Sequence, residues 1–381
     1  MNRDFLRQMP GADHHLSKGA NFFFRIHLDP VLLSLLILLC LIGLGILYSA
    51  SGQSIEHVEK QAVRLAIAFF VMFVFAQLDP IVYKRWSPWL FLLGLVALVG
   101  VLFFGVGAKG AQRWLQLPGL PRFQPSEAMK LIVPMMVAWY LSSRYLPPSI
   151  KVVLIALLIV VVPVVLILKQ PDLGTSLLIA SSGIFVLLFA GLSWRMVAGF
   201  SALMAAFAPV LWLFIMHDYQ RQRVLTFLNP ESDPLGSGWN IIQSKTAIGS
   251  GGFWGKGWLN GTQSQLNFLP ESHTDFIIAV CAEEFGFIGV LGLLLVYLLI
   301  IFRCLFIAVK AQDSYSRILS GGLVLTFFIY VFVNIGMVSG ILPIVGVPLP
   351  LVSYGGTSAV TLMAAFGVLM SVHTHRKMLT R

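Results

Sequence analysis

The sequence predicts an all-α polytopic membrane protein: about ten transmembrane helices, with a long external loop between helices 7 and 8. Three observations carry that expectation. Apolar residues make up 57% of the 381 and charged residues only 11%, far from a soluble globular profile. Apolar runs recur at close to the ~20 residues that cross a hydrocarbon core of about 30 Å. Basic residues gather in alternate connections, as the positive-inside rule requires.

In chain order, spans are expected at 29–50, 61–78, 87–105, 125–143, 150–168, 174–190, 195–216, 275–302, 316–340 and 355–373. The boundaries around 174–195 are the least sharp, because the connection Gly191-Leu-Ser-Trp-Arg195 is very short. An even number of spans puts both termini on one side. With the termini inside, the cytoplasmic pieces hold Arg3, Arg7, Lys18 and Arg25, then Lys84, Arg85, Arg144, Lys151 and Arg195, and finally Arg303, Lys310, Arg317, Arg376, Lys377 and Arg381. The opposite side carries fewer cations over more residues. Residues 1–28 are thus read as a cytoplasmic segment, 29–373 as the ten-helix domain with an external loop at 217–272, and 374–381 as a cytoplasmic tail. The first span is too long for a signal-peptide core and reads as a retained anchor. The net charge of +10 is mostly this inside bias and does not argue for nucleic acid. Cys40, Cys281 and Cys304 all fall in apolar segments, so no disulfide framework is implied.

Three non-span stretches stand out. Residues 106–124 mix basic, aromatic and turn residues. The loop 217–272 is far longer than a structureless connection usually is. Within it, Trp239–Ile248 reads as a short helix whose apolar positions 239, 242 and 246–248 suit the bilayer interface. The glycine-dense run Gly249–Gly257 follows, able to bend sharply and approach a ligand closely. Ile341–Pro350 is apolar yet proline-rich; such backbone survives at membrane depth only when buried in protein or lining a cavity.

The chemistry-bearing candidates sit at helix mouths. Asp275 ends the long loop and opens an apolar span, where a carboxylate is costly unless water, a partner charge or a substrate attends it. Two readings stay open: a helix-start cap within Ser272-His-Thr-Asp275, or a general base for a hydroxyl brought to the external surface. His273 reads as an interfacial loop residue first and a proton partner second. In Pro125-Ser-Glu127-Ala-Met-Lys130 the two charges are three apart on one face. They either satisfy each other at the interface or form a phosphate-gripping pair, and with Asp275 they are placed to share one cavity. Asp172 reads as a plain helix cap. Arg113, Arg122, Arg221, Arg223, Lys245 and Lys256 oppose the inside bias; together they suit a pyrophosphate or an anionic lipid. Glu283 and Glu284 lie about 80° and 180° around the helix from Asp275, so they read as packing or hydrogen-bonding elements before proton relays. Gly255-Lys256 lacks the remaining glycine and the hydroxyl residue of a phosphate loop. His14, His15, His373 and His375 are terminal and lack further ligands for zinc.

Several motifs in order resemble one family. They are Phe123-Gln-Pro-Ser-Glu-Ala-Met-Lys130, Lys169-Gln-Pro-Asp-Leu-Gly-Thr175, Gly238-Trp-Asn-Ile-Ile-Gln-Ser-Lys245, Ala247-Ile-Gly-Ser-Gly-Gly252, Phe268-Leu-Pro-Glu-Ser-His-Thr-Asp-Phe276, Ala282-Glu-Glu-Phe-Gly286 and Pro348-Leu-Pro-Leu-Val-Ser-Tyr-Gly-Gly-Thr-Ser358. Over nearly all of 29–375 the chain is similar to the SEDS proteins (shape, elongation, division, sporulation), and closer to their elongation branch than to their division branch. The resemblance implies a ten-span peptidoglycan glycosyltransferase that polymerises lipid II at the external face of the bacterial inner membrane. It implies Asp275 as the essential carboxylate, with Glu127 and Lys130 as functional partners. It also implies a class B penicillin-binding protein (a transpeptidase) as working partner, within a wider elongation complex.

Residue chemistry and resemblance agree. A base activates the sugar hydroxyl of one lipid-anchored substrate, and cations steady the polyprenyl pyrophosphate leaving from the other. Lys130, Arg113, Arg122, Arg221 and Lys245 are the expected anion-binding groups. No covalent cofactor is expected; a divalent cation can assist the pyrophosphate, although no ligand cluster demands one. Competing classes are a transporter of a lipid-linked precursor and a non-catalytic scaffold of the elongation complex.

Overall fold

The computed structural model describes residues 26–108, 111–116, 123–216, 218–232, 238–265 and 272–375. The expectations for 1–25, for Arg122 and for 376–381 lie outside the described residues.

The chain begins with α1 (Pro30–Ala50), α2 (Ile55–Gln77) and α3 (Pro80–Phe104). Asp29 and Asp79 cap α1 and α3, each followed by proline at the first helical position, where a missing N–H costs no intrahelical bond. A small antiparallel hairpin, β1 (Val106–Ala108) with β2 (Ala111–Trp114), then leads to α4 (Pro125–Ser142). Next come α5 (Ile150–Leu168), α6 (Leu173–Phe189) and α7 (Trp194–Val210), the last continuing as a π-turn to Ile215. The long loop contains α8 (Asp218–Leu228), α9 (Trp239–Gly251) and the single-turn α10 (Thr262–Gln265). The chain closes with α11 (Ile277–Val309), α12 (Ser314–Val338) and α13 (Thr357–Thr374).

Each expected span coincides with one of these helices, although α2 and α3 start earlier and α11 ends later than expected. Seven of them (α1, α3, α5, α7, α11, α12 and α13) are long and apolar enough to cross a membrane, and α6 is a shorter apolar helix. Hydropathy alone does not single out α2 and α4, because they carry Glu56, Glu59, Lys60 and Arg64, and Glu127 and Lys130.

Two large apolar cores form, beside a small cluster of Leu178, Tyr330, Val333 and Val347. One joins α1, α2, α11 and α13 through residues such as Leu36, Met72, Tyr297 and Met363. The other joins α3 to α6 through Leu98, Met129, Val160 and Ile179. Small residues set the closest approaches, as in membrane bundles generally: a Cβ on Gly183 would lie 2.2 Å from Val160 Cγ2. At the end opposite the candidate site, the fully buried Asp29 takes Arg303 at 2.6 Å and His373 at 3.4 Å, fastening α1, α11 and α13 together. His27 stacks on His375 with ring centroids 3.9 Å apart. Burial and that neighbour push the His27 imidazole below its ordinary value.

The structure corrects the expected loop. The helix anticipated at 239–248 exists, but its Ile241, Ser244 and Ala247 are buried in protein, and Ser244 Oγ donates to Val338 O at the end of α12. It packs on α11. The glycine run approaches protein backbone. Helix α11 is interrupted at Gly286 (φ 65°, ψ −163°), and 251–257 fills the gap. Lys256 N donates to Glu283 O (3.0 Å), Gly257 N to Glu284 O (2.9 Å) and Phe287 N to Gly252 O (3.0 Å). A Cβ on Gly255 would sit 2.2 Å from Glu284 O, so only glycine permits the contact. The proline-rich stretch behaves as expected: Val347 and Leu349 are buried, and Asn334 and Tyr297 donate to Val347 O and Pro350 O.

Gly286→Ala is expected to destabilise the purified protein in detergent by more than the ~1–2 kcal/mol that positive φ costs an L-residue, because the new Cβ would also meet Gly255 N at 2.3 Å. Gly199→Ala, whose Cβ meets nothing within 4 Å, is the control. Equal melting temperatures for the two variants would contradict this account of the break.

Candidate active site

The site is built where α4, α6, α11 and α13 begin and α12 ends. Pro125 opens α4, and Glu127 falls in its first turn, at the positive end of the helix dipole. Lys130 Nζ reaches Glu127 Oε1 at 2.5 Å, both side chains being almost wholly buried. Removing one member of such a pair leaves an uncompensated buried charge, at a cost of about 3–5 kcal/mol. Lys130 Nζ also lies 5.1 Å from the Tyr330 ring centroid on α12. Glu127 Oε2 and Ser126 Oγ have no hydrogen-bond partner among the described residues, a cost normally relieved by a water or a ligand.

Asp275 sits in a turn before α11. It directly precedes Phe276, the N-cap position of α11, and Ser272 Oγ donates to Ala50 O. Asn334 Nδ2 holds the Asp275 carbonyl at 2.8 Å. A Cβ on Gly346 would be 3.5 Å from Asp275 Oδ2, so the proline-rich stretch passes against this carboxylate. The turn 353–356 locks to it as well: Ser353 Oγ donates to Thr274 O and Tyr354 N to His273 O. His273 is in a ring cluster with His57 and Tyr354, and the Arg64 guanidinium lies 4.4 Å from the Tyr354 centroid.

Asp275 and Lys130 therefore flank one stretch of α12, Tyr330 to Asn334, whose residues four apart share a face. The cavity beside Glu127 and Lys130 also takes in Thr326, Tyr330, Ser358 and Thr361, but not Asp275, and holds only ≈ 30 Å³. That is room for water but not for a sugar, which has to bind above it or part the helices. A separate apolar groove of ≈ 470 Å³ runs from Phe123 past Trp86, Leu131 and Met135, and it shares Leu131 and Thr361 with the cavity.

The other expected cations mostly have structural work. Arg113 Nη2 donates to Pro171 O at 2.6 Å and its Nε is 3.8 Å from Asp172. Asp172 caps α6 through Thr175 N, as expected, and accepts from Gln124. Lys245 is exposed, but its stem lies on Gly340, just beyond the C-terminal end of α12, where a cation complements the helix dipole. Arg221 donates to Leu213 O, tying α8 to the end of α7. Lys256 pairs with Glu283 at 2.8 Å. The collective anion site expected of these residues is thus not assembled among the described residues. Nor do the described residues hold a group of three or more His, Cys, Asp or Glu able to bind a metal.

Sequence reasoning passed over Tyr330, Asn334, Arg64 and Tyr354. Asn334 carried a usable signal, being an amide within an apolar span, where polar groups are costly and functional.

Known proteins share this architecture. The cell cycle protein family FtsW/RodA/SpoVE matches residues 30–378. Peptidoglycan glycosyltransferase MrdB of Escherichia coli K12 is 56% identical over 360 residues, covering 94% of this chain and 97% of its own length. The probable peptidoglycan glycosyltransferase FtsW of Trichlorobacter lovleyi is 37% identical over 92% of this chain and 94% of its own. A chain from a solved peptidoglycan synthase complex that coordinates polymerization and crosslinking superposes with a TM-score of 0.80 at 31% identity, over 91% of this chain and 97% of that one. The crystal structure of the rod shape determining protein RodA of Thermus thermophilus gives 0.69 at 28% identity, over 92% and 98%. By sequence and by structure, the chain belongs to the FtsW/RodA/SpoVE family.

Proposed function

We propose that this chain is a peptidoglycan glycosyltransferase of the bacterial inner membrane, polymerising lipid II into glycan strands during elongation, with Asp275 as general base. The observation that carries the reading is a juxtaposition. A buried ion pair and the turn that carries Asp275 flank one face of α12, and an apolar groove shares Leu131 and Thr361 with the cavity of the ion pair. A lipid-linked sugar needs both: a lateral berth for the polyprenyl tail and charged groups for the head. Ten crossings, cytoplasmic termini and an external site follow from the positive-inside reading.

The chain's own residues divide the work. The Asp275 carboxylate accepts the proton of the acceptor hydroxyl as that oxygen attacks the donor's anomeric carbon and the pyrophosphate departs. Lys130 steadies the departing negative charge, and Glu127 fixes where Lys130 points. A single displacement with one base, and no second nucleophilic carboxylate, inverts the anomeric centre. The name of the synthase complex chain, which couples polymerization to crosslinking, supports a class B penicillin-binding protein as partner, within the larger elongation assembly. A divalent cation, where one assists, would act on the pyrophosphate.

Asp275→Asn is expected to abolish lipid II polymerisation by purified protein with its transpeptidase partner, by about 10²-fold or more, since general bases typically contribute 10²–10⁴-fold. Near-normal glycan yield from a folded Asn variant would rule out the base assignment. If the same variant instead loses transbilayer movement of lipid II in vesicles, the chain is a transporter. Lys130→Glu is expected to impair turnover far more than Lys169→Glu, a reversal outside the cavity lining; matching losses would remove Lys130 from the anion site.

A further inference from the structure

The break in α11 leaves a mechanical question. Residues 277–285 form a half-helix of about 13 Å that carries Asp275 at its mouth, and backbone continuity ends at Gly286. An unbroken helix would inherit its direction from the rest of α11; this one cannot. Asn334 holds one end through the Asp275 carbonyl, so the other end needs an anchor of its own.

That anchor is a buried carboxylate with no part in the proposed chemistry. Glu283 is fully buried. Its Oε1 accepts from Lys256 Nζ (2.8 Å), Thr262 N (2.7 Å), Thr262 Oγ1 (3.0 Å) and Gln263 N (2.9 Å). Around it, the loop backbone bonds both sides of the break. Its neighbour Glu284 takes a hydrogen bond from Ser49 on α1, securing the half-helix against a second element. A carboxylate serving one ammonium and the first N–H groups of α10 is charge-assisted throughout, hence stiffer than the neutral bonds beside it.

We propose that Glu283 is a positioning residue for the glycosyl transfer: by clasping Lys256 and the α10 N-terminus into the break, it sets the direction of half-helix 277–285 and so the placement of Asp275. The proposal rests on Asp275 being the base. A displacement of about 1 Å at a reacting group costs roughly 10²-fold in rate, so the clasp acts on turnover with little effect on substrate capture.

The test compares Glu283→Ala, Glu283→Gln and Lys256→Met in the full chain with its partner, using lipid II as substrate, and follows amide hydrogen exchange across 277–285. Glu283→Ala is expected to lower kcat by about 10–100-fold with KM within about twofold, and to speed exchange in 277–285. Glu283→Gln keeps an acceptor oxygen and is expected to recover most of the turnover. Lys256→Met should fall between the two. Asp313→Ala, which removes the cap of α12 at the opposite end, supplies a loss of stability that should leave kcat unchanged. Full kcat in Glu283→Ala, or a loss without faster exchange in 277–285, overturns the proposal while leaving the base assignment intact if Asp275→Asn is dead. An active Asp275→Asn overturns the base assignment, and with it any positioning role.

Discussion

The interruption of α11 at Gly286 is the constraint on which the site end depends. Within a bilayer, backbone N–H and C=O groups have no water to turn to, so a broken helix persists only where protein supplies the missing partners. Here the glycine run 251–257 supplies them, and glycine is required because two backbones meet at distances that no Cβ tolerates. Helix α9 is drawn onto α11 by the same contact, which brings residues 239–257 of an apparently external loop into the bundle.

Charge obeys the same economy. Each deep carboxylate that pairs with a cation does so across elements: Asp29 with Arg303, Glu283 with Lys256. Glu127 is the exception, since its cation, Lys130, lies one turn away on the same helix and one carboxylate oxygen is left without a partner among the described residues. A locally balanced, incompletely bonded pair beside an apolar groove is suited to receiving a charged lipid head. The fully bonded pairs are suited to holding helices together. This contrast separates candidate chemistry from architecture better than residue type does.

Much of this was legible in the sequence. The ten helical segments were, because each apolar run has to be near bilayer length, and so were the cap at Asp172 and the proline start of α4, because they follow local rules of helix starts. The mouth position of Asp275 was legible; the turn over 272–276 that carries it was not. The cations misled. Spacing shows that Arg113, Lys245 and Lys256 oppose the inside bias; it does not show that Asp172, the end of α12 and Glu283 are waiting for them.

What the sequence determined by itself is class, helix order and the candidate groups, because hydropathy, charge bias and capping depend on neighbours within a few residues. What only the tertiary structure decided is which polar groups meet. Lys130 and Asp275 come to one face of α12, Glu283 turns away to hold a loop, and α11 breaks rather than running straight. Those outcomes depend on elements far apart in the chain, each offering its partner in a medium that supplies none.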